Sequence, residues 1–270
     1  MARIEDTLAA MGGMEMLATQ RTQVHNLDPR AKLVTTLAFI VSVVSFGKYE
    51  IASLSPLLLY PVFLALAGNI PITFLLSRLL IAAPFAVLVG ISNPVLDHAP
   101  LLRLGTLEIS GGWVSYVSIL FRFVLTVSAA LLLVATTGFN AVCRALVQLG
   151  VPRMFAVQLM LLYRYVFVLA QEALRTMRAW RLRSVSGNKM PLRVYLSVTG
   201  QLLVRAVERS QRIHMAMLSR GFTGEIHLAH SFHAHRTDLL FVLVWGAFFG
   251  VARLVNVPQW FGRLLLGVWG

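Results

Sequence analysis

Residues 113–137 read WVSYVSILFRFVLTVSAALLLVATT, a run in which Arg122 is the one formal charge. As a helix it is about 37 Å long, more than the ~30 Å hydrocarbon core of a bilayer. Outward from it lie further apolar runs. Ala31–Phe46 follows Asp28, a candidate N-cap, and Pro29. Ile51–Ala67 contains Pro56 and Pro61. Pro71–Leu96 carries Arg78 and ends in the turn signal Ser92-Asn93-Pro94. Leu239–Val255 is the last. The whole chain is 57% hydrophobic and 13% charged, where a soluble domain carries about 25% charge. So few charges cannot cover a globule in water, so lipid is the solvent for much of the chain. The expected fold is all-α: a polytopic integral membrane protein of about five transmembrane helices plus long cytoplasmic helices.

Charge sets the orientation. The chain nets +13. Residues 138–237 hold fourteen of its twenty-four Lys and Arg against Glu172, Glu208 and Glu225, a local net of +11. Positive residues collect on the cytoplasmic side. That segment is therefore expected inside, and with four spans before it the N-terminus is expected inside too. Arg21, Arg30 and Lys32 agree. Residues 1–20 lack the basic-then-apolar layout of a signal peptide and are expected to stay uncleaved. The domain layout that follows is 1–150 with four spans, 151–237 cytoplasmic, and 238–270 with the last span and a short interfacial C-terminal helix. Val151–Ala173 is apolar enough to cross, but Arg164 sits in its middle, and a charge at mid-bilayer is costly. It is expected at the inner face. A sixth span is the alternative, and it would put the basic segment outside.

The basic segment reads as two helices, Met154–Arg183 and Leu192–Arg220, with Gly221 as C-cap. At 100° per residue the second has two faces: Leu203, Val207, Ser210, His214 and Met217 on one, Arg205, Arg209, Arg212 and Arg220 opposite. Most of these arginines fit topology or contact with anionic lipid. Arg183 and Arg220 differ, because each stands before the small residue that stops its helix (Ser184 and Gly221). A guanidinium at a helix tip can pair bidentately with a carboxylate in another protein's groove. Its favourable interaction with the helix dipole is the simpler alternative.

Other chemistries find little support. None of the eleven acids lies mid-span, and none forms the paired-carboxylate spacing of an intramembrane hydrolase or cation pathway. GxxxxGK[ST] is absent, so no phosphate-binding loop of that type exists. Cys143 is the single cysteine, which removes thiol-based metal and redox chemistry. His227, His230, His233 and His235 crowd nine residues. Imidazole suits nickel, cobalt or zinc, but a solvated loop explains them as well. No metal or cofactor is assigned. A basic patch beside a membrane does not call for nucleic acid.

Several stretches together resemble the transmembrane (T) components of energy-coupling factor ABC transporters, closest to the cobalt/nickel CbiQ/NikQ group. They are Leu27-Asp28-Pro29-Arg30-Ala31-Lys32, Tyr163–Leu169 with Glu172, Arg178–Ser184, and Glu208-Arg209-Ser210 through Met217-Leu218-Ser219-Arg220-Gly221-Phe222. The two tips resemble that family's paired Ala-Arg-Ser/Gly motifs, with Leu182 and Ser219 where alanine is usual. The resemblance implies a non-catalytic scaffold in a bacterial inner membrane, importing cobalt or nickel, as for cobalamin biosynthesis. Its partners would be a dimer of ABC ATPase subunits, a separate substrate-binding membrane subunit, and lipid. Arg183, Ser184, Ser219, Arg220 and Gly221 would couple to the ATPases. Arg178, Arg181, Glu208, Arg209 and Arg212 would support the coupling helices. A vitamin importer of the same type is the alternative, and an intramembrane enzyme a more distant one.

Overall fold

The computed structural model describes residues 13, 17–20, 22–96, 100–104, 107–184, 191–222 and 235–254. The expected C-terminal interfacial helix and His227, His230 and His233 lie outside them. In chain order the elements are α1 (Pro29–Ser45), α2 (Ile51–Leu54), a 3₁₀ turn (Ser55–Leu58), α3 (Leu59–Ala67), α4 (Ile72–Gly90) and α5 (Ser92–Leu96). Strands β1 (Pro100–Leu104) and β2 (Leu107–Ser110) follow, then α6 (Gly111–Thr137), α7 (Phe139–Gln148), α8 (Arg153–Arg183), α9 (Leu192–Leu218) and α10 (Arg236–Leu254). The chain forms two compact units: Leu17–Gly138 with Phe232–Gly270, and Phe139–Ser231 with Met1–Met16.

The architecture is helical, as expected. The only strands among the described residues are the antiparallel pair β1–β2, with Arg103 opposite Glu108. Ile72–Pro94, Gly111–Thr137, Arg153–Arg183 and Arg236–Leu254 are each long and apolar enough to cross a membrane. Outward-facing apolar side chains identify the solvent: Leu80 is 72% exposed and Phe85 74%. In water such faces would be buried; in a multi-pass membrane protein they meet lipid. The expected second span is broken into α2, a 3₁₀ turn and α3, with Pro56 in the turn. Proline has no N–H for an i→i−4 bond, and its ring crowds the preceding turn. By length and composition α8 also qualifies as a span, despite Arg164. That guanidinium is exposed and lies 6.0 Å from the centre of the Tyr165 ring.

Inside the first unit the core is aromatic. Tyr60, fully buried, packs at 4.8 Å from Phe39, 4.9 Å from Trp245 and 5.4 Å from Phe249. Its hydroxyl lies 2.8 Å from Thr36 Oγ1. Lipid tails are as apolar as leucine, so helix association in a bilayer depends on such close packing and on hydrogen bonds. Arg122 serves the same unit: its Nη2 donates to the carbonyls of Phe46 and Gly47, at the end of α1.

A polar cluster ties the starts of α1 and α10. Asp28 caps α1, its Oδ1 accepting from Arg30 N–H at 2.8 Å. The Asp28 N–H donates to Asp238 Oδ1 at 2.9 Å, across 210 residues. Asp238 Oδ2 accepts from His235 N–H at 2.7 Å and so caps α10 itself. Lys32 is buried in this cluster: it is 2% exposed and donates to the Thr136 carbonyl at 3.0 Å. An isolated buried ammonium would be very costly; Asp28 and Asp238 supply the countercharge.

Two outcomes follow. Asp238→Ala leaves two backbone donors without their acceptor and Lys32 without part of its countercharge, and is expected to destabilise the unit by about 3 kcal/mol or more. Asp238→Asn, which keeps one acceptor, should fall between it and wild type in a detergent melting curve. His25 donates from Nε2 to the Leu17 carbonyl at 3.0 Å and lies 2.7 Å from the Thr22 hydroxyl through Nδ1. Burial, helped by the charge of Lys32, holds its pKa below the usual 6.5. The neutral ring is therefore the folded form. Its contribution is fully present above pH 6.5 and is lost as pH falls through the lowered folded value. Melting between pH 8 and pH 5 should show that fall in wild type (about one proton), and His25→Gln should flatten it.

Candidate functional site: an arginine-tipped helical hairpin

The second unit is built on α8 and α9. The short α7 packs on α8 through Phe139, stacked at 4.5 Å on Tyr163, which meets Phe167 edge-on at 5.1 Å. Cys143 is buried on α7, and burial pushes its thiol up, away from the reactive thiolate. Ala156 and Leu174 of α8 and Val198 of α9 are the buried apolar side chains of the two helices. Near them Glu172, the single acid of α8, accepts from Arg209 Nη2 at 2.9 Å and lies 3.6 Å from Arg205.

This clamp decides which face of α9 meets α8. Arg209, on the arginine face, turns toward α8 and is only partly exposed. The contact stripe runs through Val194, Val198, Leu202, Ala206, Ile213 and Met217. Leu203 and Val207, on the apolar face, are exposed, Leu203 at 66%. The Glu172–Arg209 pair brings charge into the groove and turns leucine outward. The spacing of Arg205 and Arg209 at i, i+4, opposite a lone acid on a basic helix, was the available signal.

The structure places both tips. α8 ends on Arg183. Ser184, in extended conformation, caps it, its N–H donating to Trp180 O at 3.0 Å and its Oγ to Arg181 O at 3.1 Å. α9 ends at Leu218. Ser219 Oγ donates to Ala216 O at 3.1 Å, and Gly221 takes φ +78°, where a side chain would be strained. The Phe222 N–H then bonds Met217 O at 3.0 Å, closing the helix by a six-to-one bond. Arg183 and Arg220 are exposed, and neither forms an ion pair with another described residue. Arg178 and Arg181 are exposed on the last turns of α8, and Arg212 lies 3.8 Å from Glu208 on α9. No group of three metal-ligating side chains occurs among the described residues.

Glu172→Gln and Arg209→Gln, combined in a double-mutant cycle, should show a coupling of about 1 kcal/mol. That exceeds the exposed Glu208–Arg212 pair, for which a few tenths is expected. Chemical denaturation in detergent reads both.

The family model described as cobalt transport protein, CbiQ, matches residues 20–231. An uncharacterized protein of Methanocaldococcus jannaschii is 28% identical over 81% of this chain and 78% of its own. The energy-coupling factor transporter transmembrane protein EcfT of Bacillus subtilis is 26% identical over 74% of this chain and 81% of its own. The protein of the same description from Streptococcus thermophilus is 26% identical, with the same coverage of both chains. The match takes in the Leu27–Lys32 stretch, α8, α9 and both tips, so the resemblance carried by those motifs is borne out: the chain belongs to the CbiQ family of cobalt transport proteins.

Proposed function

We propose that the chain is the transmembrane scaffold of an energy-coupling factor importer. In this reading Arg183 and Arg220 dock into carboxylate-lined grooves, one on each subunit of an ABC ATPase dimer. Closure of that dimer moves the two tips, and the hairpin passes the motion to a separate substrate-binding membrane subunit. The observation that carries the reading is the pair of tips. Two long helices of one hairpin each terminate at an exposed arginine, Arg183 as the last residue of α8 and Arg220 just beyond the end of α9, each followed by a small residue and ion-paired with no described acid. A guanidinium so placed keeps both donor edges for an incoming carboxylate.

The clamp at Glu172 supports the same reading. A lever must hold its two arms together while their ends move, and a charged pair with good geometry fixes register better than apolar contact alone. The scaffold does no chemistry itself; ATP hydrolysis belongs to the partner subunits. Cobalt as the cargo is supported by the description of the matched family, with nickel the alternative the resemblance implies. A cytoplasmic N-terminus is supported by the basic residues of the hairpin, and an inner-membrane location by the family resemblance.

The test is co-purification of the tagged chain with the host's own proteins in gentle detergent. Wild type should bring down ATPase subunits. Arg183→Glu/Arg220→Glu should lose them at least tenfold while inserting into the membrane at an unchanged level. Absence of an ATPase from a well-expressed wild-type preparation would sink the scaffold reading. Uptake of radioactive cobalt and nickel by cells carrying the intact operon should fall with the same double variant.

A further inference from the structure

The groove between α8 and α9 has two chemically different halves. One is a cavity of about 670 Å³ walled by Leu161, Leu162 and Tyr165 of α8 and by Ala206, Ile213 and Met217 of α9. The other, about 760 Å³, is walled by Arg175, Arg183, Arg193 and Arg205, beside Trp180 and Ser197. A smaller cavity of about 350 Å³ joins them. It shares Arg209 with the apolar half, and Arg175, Thr176 and Arg205 with the basic half.

No acid lines the basic half. Glu172 stands at the joint, where Arg209 already engages it. Arg175, Arg183 and Arg193 form no ion pair with another described residue. A topology signal needs only the number of positive charges on one side; it does not need four of them, from two helices, to converge on one cavity. Convergence of guanidinium groups is what a phosphate requires. The apolar half asks for something else attached to that phosphate. Leu162 and Arg175 are about 20 Å apart along α8, room enough to lay one acyl chain along the groove from the phosphate site. α8 is itself long and apolar enough to enter the membrane.

We propose that this groove binds one anionic phospholipid. Its phosphate is held by Arg175, Arg193 and Arg205, and one acyl chain lies in the slot between Leu162 and Met217. The amphiphile accounts for both halves at once, whereas an acidic protein surface would fill the basic half and leave the apolar slot empty. The lipid would bridge the two arms of the hairpin on the same groove that Glu172 clamps. The inference rests on the chain being a membrane protein; Arg183, assigned above to ATPase docking, walls the same cavity but is not among the three arginines given the phosphate.

The test uses the full chain in nanodiscs of equal parts dioleoyl phosphatidylglycerol and dioleoyl phosphatidylcholine, with retained lipid counted by native mass spectrometry. Wild type should keep about one phosphatidylglycerol per chain, preferred at least tenfold over phosphatidylcholine. Arg175→Gln/Arg205→Gln should lower that preference roughly tenfold or more. Arg178→Gln/Arg212→Gln removes the same charge outside the groove and should keep it. Ala206→Trp fills the slot and should lose the lipid with every arginine in place; Ser210→Trp serves the same purpose should Ala206→Trp not fold. Unchanged retention in the groove variants, or equal loss in the charge control, would overturn the proposal. Retention in both tryptophan variants, or displacement of the lipid by excess inorganic phosphate, would reduce the site to an anion site and also overturn it. Unchanged lipid retention in Arg175→Gln/Arg205→Gln together with lost ATPase co-purification would assign the groove to an acidic protein surface instead.

Discussion

The carboxylate of Asp238 holds together elements that the chain keeps 210 residues apart. One oxygen accepts from the first helix's N-cap residue and the other from the residue that opens the last helix. In a bilayer there is no hydrophobic drive to bring two apolar helices together, so an interaction of this kind has unusual leverage. It satisfies two backbone donors at helix starts, where four N–H groups always lack intrahelical partners. It also supplies charge beside Lys32, which could not otherwise be buried. Once the starts of α1 and α10 are joined, Phe39, Tyr60, Trp245 and Phe249 are placed to interlock.

The hairpin solves its own version of this problem with the opposite sign balance. There a single acid, Glu172, meets an excess of arginine. One pair is made well and engages Arg209. Arg205 lies 3.6 Å from the same acid, whereas Arg175 and Arg193 at the groove and Arg183 and Arg220 at the tips form no ion pair with another described residue. That imbalance is the physical basis of both proposed interactions: carboxylates at Arg183 and Arg220, a phosphate at Arg175, Arg193 and Arg205. Arginine suits both, because its planar fork matches either oxyanion and it stays charged in any environment.

The tips and the groove make different demands. A tip must be reachable and rigid, and the turns at Ser184 and Gly221 provide that: each directly follows its arginine, Arg183 as the last residue of α8 and Arg220 just beyond the end of α9 at Leu218. A lipid groove must be amphipathic along its length, which follows from α8 changing from apolar to basic near Ala173 while α9 runs back beside it. One helix sequence thus serves membrane contact over its first half and anion contact over its second.

The sequence by itself determined the solvent, the helical class, the N-cap at Asp28, the two hairpin helices and both arginine tips. Each depends on near neighbours: apolar run length, proline and glycine positions, and charge density within one segment. It also carried the family, through short motifs in those same segments. The tertiary structure decided what needed partners distant in the chain. The partners of Lys32 were not legible, because its acceptor, Thr136, and its countercharge, Asp238, come from other helices. A helical wheel separates the two faces of α9 but does not say which one meets α8; the cross-helix pair of Glu172 and Arg209 decides that. The convergence of Arg175, Arg183, Arg193 and Arg205 belongs to the same class: their spacing along the chain is irregular, and only the antiparallel return of α9 makes them neighbours.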